Sequence, residues 1–289
     1  MPEIPSTVNR VKHAIDYKLL YSKPRPYLGM SGVGASCRRK LWYNFRWASG
    51  DGEITPETQR IFERGDWEEM RVLRDLRNIG VEVYMMKDGA KVYPEGIREE
   101  YQEEVKHFTG HSLGHIDGRV INVPGAELTE HLLEIKTMKA EKFKDYIKNG
   151  FLNFPEYEMQ IQLYMGYLGL KRCLYIVCNK NTEERSYERY KFDEGIFEEG
   201  KNKILTIIST DDPLDLPRIS DKPDYYLCSF CQHRQLCFGY RGPEKNCRTC
   251  VNVELHDDGI WKCSEDKTAT AIPVKIQRTG CASQYDSII

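Results

Sequence analysis

Cysteine placement constrains this chain more than any other feature. Of the 10 cysteines in 289 residues, Cys37 stands alone near the start, Cys173 and Cys178 share an apolar stretch, and the rest follow Tyr226. The first residues, Met1-Pro2-Glu3-Ile4-Pro5-Ser6, lack a basic start followed by an apolar run, so no secretory signal is expected. In a reducing cytoplasm, the location this implies, thiols at this density hold metals or clusters rather than disulfides. The fold must therefore bring an early cysteine or late cysteines, or both, around bound ions.

The rest of the chain reads as mixed α/β. Hydrophobic residues make up 40% and charged residues 30%, which excludes a disordered or collagen-like chain. Lys+Arg is 42 against 44 Asp+Glu, so any nucleic-acid contact must come from local patches rather than a global positive field. Apolar runs such as 174–178 are too short to span a membrane. Residues 49–56 read as a loop around Gly50, Gly52 and Pro56. Periodicity predicts helices over 57–78, 139–149, 155–168 and 193–210. Asp193 is placed to cap the last and Pro155 to open the third. Strands are expected over 81–86, 101–108, 115–123, 132–137, 173–178 and 185–192, with Cys173 and Cys178 in the core. No internal repeat appears. Three segments follow: 1–56 at the N-terminus, a core of 57–240, and a cysteine-rich module of 241–289 too small to bury much apolar area without metal.

The sharpest chemistry is Gly114-His115-Ile116-Asp117, followed by Leu133-Glu134-Ile135-Lys136. On a strand, Glu134 and Lys136 share a face while Leu133 and Ile135 take the other. If the two strands pair, Asp117 lies beside Glu134. Close carboxylates repel unless a hard divalent cation, Mg2+ or Mn2+, neutralises them. Such an ion polarises phosphate and acidifies water, and Lys136 is placed to orient the water or to stabilise phosphoryl charge. The competing reading is an exposed strand of alternating charge. Gln160 and Tyr164, four apart on a helix, share a face at the border of its apolar side.

Asp117, Glu134-x-Lys136 and Gln160-x3-Tyr164, in that order over residues 57–240, resemble the RecB-type branch of the PD-(D/E)XK nucleases. The resemblance implies a restriction-endonuclease-like mixed sheet flanked by helices and metal-dependent cleavage of DNA. It makes Asp117 and Glu134 metal ligands and Lys136 catalytic, with Gln160 and Tyr164 positioning the lysine and the DNA. It also implies a ligand from an upstream helix. Here the matching stretch is Gly65-Asp66-Trp67-Glu68-Glu69, and Glu69 is selected, with Asp66 as second choice. Iron–sulfur members often carry His there, so the chain departs from that pattern. His115 is a second-rank candidate on the face of Asp117.

Cys228-x2-Cys231-x5-Cys237 lacks a fourth ligand. One distant N-terminal cysteine plus this triplet resembles the iron–sulfur RecB-type nucleases: AddAB-type enzymes, CRISPR-associated adaptation nucleases and phage relatives. The resemblance implies a 4Fe–4S cluster on Cys37, Cys228, Cys231 and Cys237, closing a loop of about 190 residues; a zinc site is the rival. Cys247-x2-Cys250-x12-Cys263-x17-Cys281 reads as a zinc-ribbon-like Zn2+ site, with His256 a spare ligand and a second cluster the alternative. Arg38, Arg39, Lys40 and Arg46 interleave with Trp42, Tyr43, Phe45 and Trp47, which suits single-stranded DNA or strand ends; packing around the cysteine site is the alternative. Lys139 begins a basic stripe beside the lysine–carboxylate strand. No Walker loop is present, so a helicase or recombinase, if used, is a separate chain. The expectation is an exonuclease of recombination, repair or replication in a bacterium or a phage-infected cell. A structure-selective endonuclease and a non-catalytic DNA-binding accessory subunit are the alternatives.

Overall fold

A computed structural model describes residues 5–19, 25–49, 55–85, 102–268, 270–281 and 287. The N-terminal part contributes α1 (Pro5–Leu19), β1 (Leu28–Gly29), α2 (Arg38–Arg46) and α3 (Pro56–Asn78). Then come β2 (Glu82–Tyr84), β3 (Glu104–Lys106), β4 (Ser112–His115), β5 (Gly118–Ile121) and β6 (His131–Met138). The second half runs α4 (Ala140–Asn149), α5 (Pro155–Leu168), β7 (Arg172–Asn179), β8 (Arg185–Lys191) and α6 (Glu194–Ser209). The cysteine-rich end holds α7 (Tyr226–Ser229), α8 (Arg234–Cys237), a hairpin of β9 (Val253–His256) and β10 (Ile260–Cys263), and α9 (Val274–Thr279). Met86, Tyr101, Gly50 and Gly52, which the expected strands and loop include, lie outside the described residues.

Alternation on β6 organises the sheet. Leu133 and Ile135 face α3, packing with Val72, Leu73 and Leu76. Leu132, on the opposite face, joins Cys173, Tyr175 and Val177 against Phe143, Tyr146, Ile161 and Ile204 of α4, α5 and α6. Each such side chain contributes about 2 kcal/mol when fully buried. β6 runs antiparallel to β5 and parallel to β7, and the order is β2-β5-β6-β7-β8. The architecture is thus α/β, a mixed sheet flanked by helices, as the sequence leads one to expect. Helix ends follow local chemistry: Thr55 Oγ1 accepts from Thr58 N at 3.2 Å, and Asp193 Oδ1 accepts from Ile196 N at 3.0 Å. No described helix is long and apolar enough to cross a membrane.

Two expectations are corrected. Residues 115–123 do not form one strand. β4 belongs to a second sheet, ordered β1-β4-β3, and the chain changes sheets between His115 and Gly118. The corner is pinned because Ile116 is 0% exposed and Asp117 Oδ2 accepts from Ile135 N of β6 at 2.7 Å. Secondly, Arg39 and Trp42 of α2 are not available to DNA. Trp42 is buried and its Nε1 donates to Thr210 O at 2.7 Å. Arg39 is also buried, donating from Nε to Leu216 O at 3.1 Å and from Nη2 to Leu214 O at 3.2 Å. An aromatic–basic stretch that reads as a surface is therefore an interior helix.

Two buried histidines carry a pH dependence. His107 Nδ1 meets Thr109 Oγ1 at 2.8 Å, and His111 Nε2 donates to His256 O at 2.8 Å. Burial pushes both down to about 4. The unfolded chain binds protons below pH 6.5 that the native protein refuses, so stability falls as pH drops from 6.5 to about 4. After allowance for partial screening, the pair should contribute a loss on the order of 1–2 kcal/mol. His111→Gln should flatten the urea-midpoint profile in that window; an unchanged slope would refute the assignment.

Candidate active site

β6, the β4–β5 corner, α3 and α5 each deliver polar side chains to one cavity of about 360 Å3. Asp117, Glu134, Lys136, Gln160 and Tyr164 line it, joined by Asp66 and Glu69 of α3 and His115 of β4. Every residue proposed from the carboxylate–lysine pattern is therefore brought to one place. Glu68 faces away: it accepts from Arg185 Nη2 at 2.7 Å and Arg71 Nη1 at 2.8 Å. That leaves Glu69 and Asp66 as the helix carboxylates on the cavity.

Glu134 is the hub. It is 1% exposed, and its Oε1 accepts from Lys136 Nζ and, at 2.8 Å, from Gln160 Nε2. Its Oε2 is buried with no hydrogen-bond partner among the described residues. Such an orphan costs about 1–3 kcal/mol, more when charged, unless something satisfies it. Gln160 also reaches Tyr164 Oη at 3.4 Å. Asp117 Oδ1 accepts from Gln102 Nε2 at 3.4 Å.

The electrostatics follow from one ammonium facing several acids. Burial, reinforced by the charge of Glu134, pushes Asp117 up to about 8. Burial and then Asp117 hold Glu69 well above the ordinary carboxylate range. Glu134 is also raised by burial, against the pull of Lys136. For Lys136 burial alone would lower the value, but Glu134 and Asp117 outweigh it and keep the ammonium charged. Four carboxylates, Asp66, Glu69, Asp117 and Glu134, thus outnumber the cations Lys136 and Arg25 around the cavity, and their oxygens are the donors a hard divalent cation takes. Among the described residues no group of three or more His, Cys, Asp or Glu side chains forms a finished ion site. The unpartnered Glu134 oxygen is the feature that fits one.

Sequence reasoning missed Arg25, Tyr27 and Ser31, which also line the cavity. They arrive with β1, which pairs with β4, and no local signal marks them. Gly114 opens the Asp117 motif and has a packing role the motif does not announce. A Cβ there would stand 2.4 Å from Tyr164 Oη, so the Tyr164 ring lies against β4 in space that a side chain at 114 would fill.

A second cavity, of about 380 Å3, gathers Cys37, Cys228, Cys231 and Cys237. Cys37 precedes α2, Cys228 lies on α7, and Cys237 ends α8. Burial raises the Cys228 thiol, and Cys37, Cys231 and Cys237 raise it further. The two cavities share Ser31, and α5 starts at the thiol cavity with Glu156 and passes the carboxylates with Gln160 and Tyr164. Cys247, Cys250, Cys263 and Cys281 lie in the C-terminal module, where burial and the other three thiols push Cys247 up to about 11. Lys139 stands at the head of α4, grouped with Lys142, Arg64 and Lys180. Arg38, half-buried, opens α2 near Lys203.

No family model matches the chain, and no curated protein matches it in sequence. Solved structures with a partly similar arrangement include that of SSO0001, at 14% identity and a TM-score of 0.45, covering 80% of this chain and 95% of that one. Another is an alkaline exonuclease (LHK-Exo) from Laribacter hongkongensis, at 16% identity and a TM-score of 0.42, covering 68% of this chain and 91% of the other. LHK-Exo in complex with dAMP gives 17% and 0.43 over the same shares.

Proposed function

We propose that this chain is a metal-dependent deoxyribonuclease that hydrolyses phosphodiester bonds, working from strand ends. The observation that carries the reading is the set of buried Asp117 and Glu134 with half-buried Glu69 and Lys136 around one cavity, where a Glu134 oxygen lacks a partner among the described residues. Asp117, Glu134 and Glu69 would hold Mg2+ or Mn2+, which would supply Lewis acidity at the scissile phosphate and acidify water. Lys136, kept charged by its acidic neighbours, donates to a phosphoryl oxygen or holds the attacking water. Gln160 fixes Glu134 through its 2.8 Å hydrogen bond, and Tyr164 backs Gln160. Lys139, Lys142 and Lys180 sit one short step along the chain from Lys136 or across the sheet from it, a suitable track for phosphates.

The soft donors of the first thiol cavity suit a 4Fe–4S cluster held by Cys37, Cys228, Cys231 and Cys237. Its role in this reading is to tie the N-terminal segment to the α7–α8 region, beside the start of α5. The test of function is digestion of matched linear and closed-circular DNA with Mg2+. Release of nucleotides from the linear form alone is the expected result. Nicking of circles would replace the exonuclease reading by an endonuclease, and binding without cleavage of either would make the chain an accessory subunit.

A further inference from the structure

We propose that Cys247, Cys250, Cys263 and Cys281 bind one zinc ion as a tetrathiolate, and that this metal sets the turn by which Arg248 locks the C-terminal module onto α2. The inference is independent of the nuclease reading. Three separate pieces of chain bring the thiols together. Cys247 and Cys250 bracket a tight turn in which Cys250 N donates to Cys247 O at 3.3 Å. Val253 N donates to Cys250 O at 3.2 Å, and Cys263 stands opposite Val253 in the hairpin, so the third thiol is carried back to the turn. α9 packs on the same turn, with Cys247 Sγ 3.4 Å from Ile276 O, and Cys281 follows it directly. Four soft donors carried by a two-residue knuckle, a hairpin and a helix end are the type zinc takes in closed structural sites, and among the described residues they do not yet stand as a finished ion site.

The module needs such an organiser. Between residues 247 and 281 the only buried hydrophobic side chain among the described residues is Trp261, at 1% exposure. One tryptophan does not fix a segment of this length against its conformational entropy.

What the turn presents is unusual. Its two intervening residues are Arg248 and Thr249, both buried. Arg248 donates to Phe45 O at 2.8 Å, to Pro26 O at 2.7 Å and to Gln277 Oε1 at 2.9 Å. Its guanidinium lies 3.7 Å from the Trp47 ring and 4.3 Å from that of Trp261. It makes no ion pair among the described residues. The neighbouring buried Arg46 has only Asp211, 96% exposed and 3.8 Å away. A buried cation without a counter-charge is costly. A zinc tetrathiolate carries a net charge of −2, and Arg248 sits between two of its ligands in the chain. The metal would thus supply the geometry that aims the arginine.

The experiment is metal analysis of the full-length protein purified under reducing conditions in trace zinc. One zinc per chain should be released by an organomercurial that blocks thiols, read with a chromogenic zinc indicator. Cys263→Ser should hold one zinc fewer than the parent and be cut by trypsin within 247–281 at least tenfold faster. Arg248→Met should weaken zinc binding about tenfold, with Arg248→Lys restoring most of it. If Cys263→Ser fails to fold, Co2+ exchange into the unmodified protein decides: an intense thiolate-to-cobalt charge-transfer band supports the site. Absence of that band, iron in place of zinc, or an unchanged zinc content in Cys263→Ser overturns the proposal.

Discussion

Lys136→Ala is expected to lower Mg2+-dependent DNA cleavage about a thousandfold, the scale of losing a preorganised donor to a developing oxyanion. The ammonium is held between Glu134 and Asp117 and its side chain is 22% exposed, so it meets both the acids and the cavity. The native fold should survive, because the buried carboxylate left behind can take up a proton. Thermal melting should drop by only a few degrees, while DNA binding measured without metal stays near the parent value. Asp117→Asn tests the other half. It keeps the acceptor for Ile135 N but removes the charge, so cleavage should fall to a similar level and rising Mg2+ should not restore it. A wild-type rate in either variant would end the assignment of this cavity as the active site.

Gly34→Ala is expected to cost roughly 2–4 kcal/mol of stability, the upper range for forcing atoms into a filled interior. A Cβ at Gly34 would stand 2.2 Å from Glu156 Cα and 2.7 Å from Pro155 O. These are backbone atoms, and no rotamer change relieves them. The start of α5 would have to move. That helix carries Gln160 and Tyr164 to Glu134, so activity should fall with stability rather than independently of it. Chemical denaturation and initial rates on the same preparations check the pair. A midpoint unchanged from the parent would show that α5 is not seated against this turn.

The central sheet was legible because its signals are local. Leu133 and Ile135 alternate with Glu134 and Lys136, and that period alone assigns their faces. Much of the carboxylate cavity was legible for the same reason: Glu134 and Lys136 share one strand face, Asp117 directly precedes the neighbouring strand β5, and Gln160 and Tyr164 share one helical face. What escaped reading is non-local. Arg39 and Trp42 look like surface residues until the carbonyls of Thr210, Leu214 and Leu216 are found opposite them. Nothing near Asp117 announces that the chain leaves one sheet for another there. Arg25 and Tyr27 reach the cavity only because β1 pairs with a strand more than eighty residues on, as Leu28 opposite Ser112 records. Propensity and spacing cannot carry information across such separations.

The grip on α2 has a consequence for how the polypeptide is made. The partners of this early helix are carbonyls at 210–216 and the guanidinium of Arg248, which emerge from the ribosome long after it does. During synthesis Trp42 has no native carbonyl to meet, and Phe45 lacks the Trp261 ring that packs on it. Productive docking must wait for near-completion of the chain, which places the slow, non-local step of folding at the end of translation. Stalled or prematurely terminated products ending before residue 210 should therefore be sticky, protease-sensitive and bound by chaperones.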